Sequence, residues 1–169
     1  TPVKLAATEE HGVLCRLHLR STRSMDAVIS EAHRIHRERG LTCVLIDYIS
    51  AFDAPGGAKF DTRTREVGAV SRACKTLAQN LDCVVIAASQ LNRASKDSAL
   101  PTLRGLRDSG EIEQDADGVL LLHRPDHDSE IEDEQAQLLV AKNRWGELGS
   151  IPMSPDLANH RFLWMSSRK

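Results

Sequence analysis

Asp47 closes the run Thr42-Cys43-Val44-Leu45-Ile46-Asp47-Tyr48, where β-branched and aliphatic residues stop abruptly at a carboxylate. A continuous apolar run has no polar face, so it predicts a strand buried on both sides, as at the centre of a parallel sheet. In open α/β sheets ligands bind outside the carboxyl ends of the strands, and an acid there can hold a magnesium ion on a nucleotide phosphate. The other uses of such a carboxylate are to cap a turn or to pair with a neighbouring base. Gln90 follows a second apolar run, Cys83-Val84-Val85-Ile86-Ala87-Ala88, at the equivalent exit. A neutral amide in that place can hydrogen-bond a γ-phosphate or an attacking water, or it can be an ordinary surface side chain.

Two further groups have chemical potential. Leu103 to Asp117 alternates cations, acids and glycines. Backbone amides around Gly110, with Arg107, suit a phosphate diester, and a plain charged loop has the same composition. Lys142 and Arg144 leave a strand together in Ala141-Lys142-Asn143-Arg144-Trp145-Gly146, where two cations can reach a neighbour's phosphates or stand solvated. The phosphate cradle G-x-x-x-x-G-K-[ST] is absent from the sequence. Pro55-Gly56-Gly57-Ala58-Lys59-Phe60 is the nearest decoy, but it follows the Asp47 run and reads as a flexible connection.

These groups need elements to carry them. Val13 to Leu19 alternates as a strand does, and Ser24 is a helix cap followed by apolar Val28, Ala32 and Ile35 at helical spacing, with Gly40 as the stop. The Asp47 strand comes next, so the order is strand, helix, strand. A loop from Ser50 to Asp61 opens a second helix, about Thr62 to Asn80, whose Val67, Val70, Cys74, Leu77 and Leu81 recur at three and four residues. After the Gln90 strand, a charged loop and a short helical turn lead to the strand Gly118 to His123. Gln135 to Lys142, Ser150 to Met153 and Arg161 to Met165 then read as strands joined by tight turns at Gly146, Gly149 and Asn159, extending the sheet antiparallel. The acidic run Asp126 to Glu134, with His123 and His127 nearby, has irregular spacing for a metal site and reads as a solvated loop.

With 169 residues and 41% hydrophobic content the chain has enough material for one domain, residues 1 to 169, with a sizeable core. No apolar run reaches the roughly 20 residues of a membrane span, so the expected location is cytoplasmic. The net charge of −2 confines any nucleic-acid contact to a local strip, and the 4% aromatic content argues against a base-stacking platform. Cys15, Cys43, Cys74 and Cys83 stand singly, which predicts buried thiols and neither a disulfide nor a zinc site. The chain starts at Thr1, which suggests a piece of something longer.

The order of the motifs resembles the motor domain of the bacterial replicative DNA helicases, the DnaB family. The likeness rests on Leu45-Ile46-Asp47-Tyr48, Thr64-Arg65-Glu66-Val67, Ala88-Ser89-Gln90-Leu91-Asn92-Arg93, Leu106-Arg107-Asp108-Ser109-Gly110 leading to Ile112-Glu113-Gln114-Asp115-Ala116-Asp117, and Ala141-Lys142-Asn143-Arg144. It covers the chain from about Ser24 onward. It implies an α/β fold, a partial RecA-like P-loop NTPase core with a mostly parallel central sheet and antiparallel strands at its carboxy-terminal end. By resemblance, Asp47 is the Walker B acid that holds magnesium through water, and Gln90 is the sensor that links the γ-phosphate of ATP to DNA-facing loops. Arg107, Asp108 and Gly110 match the segment that contacts the phosphates of single-stranded DNA in the ring's channel. Lys142 and Arg144 match the finger residues that enter the next subunit's ATP site. The family's hexamers also imply a primase and a helicase loader as partners. Asp108 stands where Glu is commoner, and Trp145 where the family usually has a small or polar residue.

In the family the phosphate loop and the catalytic glutamate precede the region where this chain begins, as does the collar domain. The chain alone is therefore expected to hold ATP and Mg2+ weakly and to turn over no ATP. The alternative implication is a non-enzymatic truncated homologue that docks on a full helicase or DNA and modulates it.

Overall fold

The computed structural model describes residues 5–10, 13–18, 20–91, 100–103, 109–124 and 136–165. In chain order its elements are β1 (Leu5–Glu10), β2 (Val13–His18), α1 (Met25–Arg39), β3 (Cys43–Ile46), α2 (Arg63–Leu81), β4 (Val84–Ala87), α3 (Ser109–Asp115), β5 (Gly118–His123), β6 (Ala136–Asn143), β7 (Gly149–Asp156) and β8 (Arg161–Trp164).

Helix α1 starts at the predicted cap: the Ser24 hydroxyl accepts from the Ala27 amide at 3.2 Å. Asp26 in its first turn and Arg37 and Arg39 in its last complement the helix dipole, and Gly40 ends it at φ 77°. Arg34 reaches Glu31 at 2.8 Å and Glu38 at 2.6 Å, and its guanidinium holds the Glu31 carboxyl below the usual carboxylate range. Helix α2 is capped by Thr62, whose hydroxyl accepts from the Arg65 amide at 3.4 Å, and it ends at Asp82 in the left-handed region. Its buried stripe is the predicted one, Val67, Val70, Cys74, Leu77 and Leu81.

Both helices pack on one face of the parallel pair β3–β4, which is registered Cys43 against Val84 and Ile46 against Ala87. Met25, Ile46, Val67, Val70 and Leu77 are almost wholly excluded from solvent. Each such burial contributes about 1.5–3 kcal/mol, so this cluster is what orients β3 and β4. Ile112 of α3 joins the same core. Strands β5 to β8 are antiparallel as expected, but among the described residues they form a sheet of their own in sequential order and do not extend the β3–β4 pair, with a register shift between Val119 and Leu120.

Four other expectations change. The strand before Asp47 is buried on one face: Leu45 is 72% exposed, and Ile86 of β4 and Leu120 of β5 are exposed as well. The period of two sends Val44 and Ile46 to the helices and Leu45 to the opposite face, where solvent reaches it. For the same reason Cys43 is exposed and Cys83 half-buried, so of the described thiol side chains only Cys74 is fully in the core. Burial pushes the Cys74 thiol up to about 12. Strand β2 does not lead into the β3 sheet; it pairs antiparallel with β1, Leu5 opposite His18. Finally, the Ser50 to Asp61 connection is anchored. Ile49 and Phe52 are buried, Asp53 donates its amide to the Arg23 carbonyl at 2.8 Å, and the Gly56 amide donates to Asp26 at 2.9 Å.

Among the described residues no helix is long and apolar enough to cross a membrane. The acidic run Asp126 to Glu134 and His127 lie outside the described residues. Among those described, no three His, Cys, Asp or Glu side chains cluster as a metal site.

Candidate functional site

Asp47 is the first residue past β3, and Gln90 is the third residue past the end of the neighbouring parallel strand. The ladder is stitched shut around Asp47. The Ala88 amide donates to the Ile46 carbonyl at 2.9 Å, and the Ala88 carbonyl accepts from the Ile49 amide at 2.8 Å. The Asp47–Tyr48 peptide is cis. These two bonds fix the backbone on both sides of Asp47, while its side chain is exposed. Among the described residues the Asp47 carboxylate makes no ion pair and no hydrogen bond. Gln90, two residues beyond Ala88, is exposed too. The structure thus brings an acid and an amide to the carboxyl ends of adjoining parallel strands, where an α/β sheet binds ligands.

Lys142 and Arg144 form a second cluster. The Lys142 ammonium donates to the Glu113 carbonyl of α3 at 2.5 Å. Arg144 reaches Asp117 twice, Nη1 to Oδ1 at 3.0 Å and its own amide to the Asp117 carbonyl at 2.9 Å. Its guanidinium also lies 5.9 Å from the centre of the Trp145 ring. The other Asp117 oxygen meets the Lys75 ammonium of α2 at 2.5 Å. The hydrogen bond from Lys75, aided by the positive charges of Lys75, Arg144 and Lys142, holds the Asp117 carboxyl below its ordinary value.

Helix α2 sets the spacing between the clusters. At its amino end Arg63 donates to the Ser50 carbonyl, beside the Asp47 exit, and Lys75 marks the Asp117 cluster. The twelve residues from Arg63 to Lys75, at about 1.5 Å each, amount to roughly 18 Å of helix. Lys142 and Arg144 thus cluster at the Lys75 end of α2, while Arg63 at its other end meets the loop that follows Asp47.

Arg107 and Asp108 lie outside the described residues, and Gly110 is exposed in the first turn of α3. Sequence reading missed Lys75 and the role of Asp117. Asp117 was visible only as one acid in a charged stretch, and Lys75 sits between core positions of α2 with no sequence neighbour that marks it.

An acid and an amide on adjoining parallel strands, helices on one face and a separate antiparallel sheet make up part of the RecA-like core of P-loop ATPases. The chain matches the DnaB-like helicase C terminal domain over residues 6–163, and it belongs to that family. It is 38% identical to the replicative DNA helicase DnaB of Pasteurella multocida over 130 residues, covering 74% of this chain and 27% of the relative. With the DnaB of Mycobacterium leprae it shares 36% over 147 residues, covering 85% of this chain and 24% of the relative. Two solved structures share the fold at a TM-score of 0.75 and cover 85% of this chain. One is a DnaB-like replicative helicase described with its interactions with primase, 32% identical, of which 35% is covered. The other is the ATPase domain of G40P, 31% identical, of which 52% is covered. The chain thus spans about a quarter of the curated relatives it matches.

Proposed function

We propose that this chain supplies the carboxy-terminal part of a replicative helicase motor, in which ATP hydrolysis drives a hexameric ring along single-stranded DNA and unwinds the duplex. The observation that carries the reading is the placing of the two groups on α2: Arg63 holds the Ser50 carbonyl just after Asp47, and Lys75, roughly 18 Å of helix further on, holds the Asp117 that meets Arg144. Two half-sites held apart in one subunit become one site when a second subunit brings its cations to the first subunit's acid. On this reading Asp47 holds Mg2+ through water, and the unpaired, solvent-facing carboxylate at a strand exit suits a hard cation. When bound, the ion would neutralise charge on the nucleotide phosphates. Gln90 senses the γ-phosphate from the neighbouring strand. Arg107, Asp108 and Gly110 face the DNA phosphates, and Lys142 and Arg144 act as fingers in the next subunit. Such a motor works in the cytoplasm beside its primase and loader.

The 169 residues hold no G-x-x-x-x-G-K-[ST], so the chain by itself turns over no ATP. Magnesium-dependent hydrolysis by a homogeneous sample would contradict this. The trans arrangement is tested in the full-length helicase carrying this segment, with Tyr48→Cys and Trp145→Cys placed in a Cys43→Ser background. A short bifunctional maleimide is expected to join neighbouring subunits and to need both new thiols. Links confined to single chains would refute the reading. A native protein of this size that co-purifies with a full helicase would instead favour the modulator.

A further inference from the structure

Asp117 lies between α3 and β5, and no function assigned so far uses it. It is the point where three elements meet: α2 through Lys75, β6 and its turn through Arg144, and α3 through the chain itself. Its hold on Arg144 is double: the carbonyl accepts from the Arg144 amide, and Oδ1 lies 3.0 Å from the guanidinium as its ion-pair partner, without the geometry of a hydrogen bond. The carboxylate is itself fixed, because Lys75 occupies Oδ2 at 2.5 Å and so directs Oδ1 towards Arg144. About half of the Arg144 side chain remains exposed, so it is steadied without being buried. Lys142, two residues earlier, is seated on the same short helix through the Glu113 carbonyl.

We propose that Asp117 is a positioning residue for Arg144: it holds the finger strand and aims the guanidinium that a neighbouring subunit's nucleotide receives. The inference rests on the reading of Arg144 as a finger, and it adds Lys75 as the residue that orients the Asp117 carboxylate. An Asn at this place keeps the shape but removes the charge that Lys75 and Arg144 share, and its single acceptor oxygen can face only one of the two cations, so it loosens the aim without opening a cavity.

The test uses the full-length helicase carrying this segment and measures steady-state ATP hydrolysis. Arg144→Ala comes first and is expected to lower kcat about a thousandfold. An unchanged kcat there would sink the finger reading itself. Asp117→Asn is expected to lower kcat about tenfold to a hundredfold, the scale of an ångström of misplacement, while KM for ATP stays within about twofold. In the double variant the loss should equal that of Arg144→Ala alone, because Asp117 acts only through that side chain. A normal kcat in Asp117→Asn beside a collapsed one in Arg144→Ala would overturn the positioning role and leave the finger standing. So would losses that multiply in the double variant. If Asp117→Asn rings do not assemble, Lys75→Met replaces it, since it frees the carboxylate to rotate while keeping the Asp117–Arg144 pair. A fall in kcat at constant KM supports the proposal, and an unchanged kcat refutes it.

Discussion

Gly68 is buried in α2 where that helix faces α3, and a side chain added there meets Glu111. An alanine Cβ would lie 2.9 Å from Glu111 Cγ, 3.0 Å from its Cβ and 3.1 Å from its Cδ. Glu111 has little room to yield, since its Cβ is tied to the α3 backbone and its carboxylate pairs with Arg72. Alanine is the better helix former by about 1 kcal/mol. Forcing extra volume into a packed contact costs about 1–3 kcal/mol, and disturbing the half-exposed Arg72 pair costs up to about 1 kcal/mol more. The terms leave a net cost of roughly 0–3 kcal/mol, so Gly68→Ala should destabilise the chain by about 1.5 kcal/mol, the middle of that range. In a Glu111→Ala background the Cγ and Cδ contacts vanish, and a shift of a few tenths of an ångström relieves the Cβ contact. There the propensity gain prevails, and Gly68→Ala should stabilise by about 0.5–1 kcal/mol. Urea unfolding of the four proteins, read as midpoints at constant m, measures this change of sign. A stabilising effect of about 1 kcal/mol in both backgrounds would show that α3 does not press on α2. That would remove the support from the helix that seats Lys142 and leads to Asp117.

Three shorter predictions concern the same framework. Asp82 ends α2 at φ 47°, a conformation costly for most side chains, so Asp82→Gly should stabilise by about 0.5–1 kcal/mol, and a lowered thermal midpoint would contradict the cap assignment. With its thiol pushed up to about 12, Cys74 should resist a disulfide-exchange reagent at pH 8 until the chain unfolds, while exposed Cys43 reacts at once; equal labelling rates by peptide mass would disprove that core. Asp117 is depressed in the folded state, so its contribution to stability is present above the ordinary value of 3.8 and is lost as pH falls through the lower folded value. Asp117→Asn should therefore flatten the acid limb of the urea midpoint, and identical limbs in the two proteins would count against the Lys75 and Arg144 contacts.

The elements that hold Asp47 were legible because the signals were local. Ser24, Gly40 and Thr62 announce helix ends through their own side chains or lack of one, and the α2 stripe repeats at the helical period. The exposure of Leu45 was not legible. A continuous apolar run records that a strand is suited to cover on both faces, whereas actual exposure depends on which layers the present chain supplies. The β1–β2 pairing escaped for a different reason, since alternation identifies a strand but does not name its partner. Asp47 and Gln90 could be found from the abrupt ends of apolar runs, and the family resemblance gave them roles. Asp117 and Lys75 are 42 positions apart in sequence, and a contact that long is set by helix packing which no periodicity records.

The core of this chain and its chemistry are linked through one helix. The apolar stripe of α2 buries Val67, Val70, Cys74 and Leu77, and the same turns place Arg63 at the Ser50 carbonyl and Lys75 at Asp117. A helix of this kind changes length very little, so packing fixes the separation of the two half-sites. Had that separation been small, Arg144 could have served Asp47 within one subunit, and a ring would have added nothing to the site. On the proposed reading, roughly 18 Å along α2 exceeds the reach of an arginine side chain, and a neighbour would complete each half-site. Asp117 then resolves a problem that this geometry creates. On that reading a finger acting in another subunit takes no aim from a nucleotide of its own chain, and Asp117 is the fixed charge that supplies it.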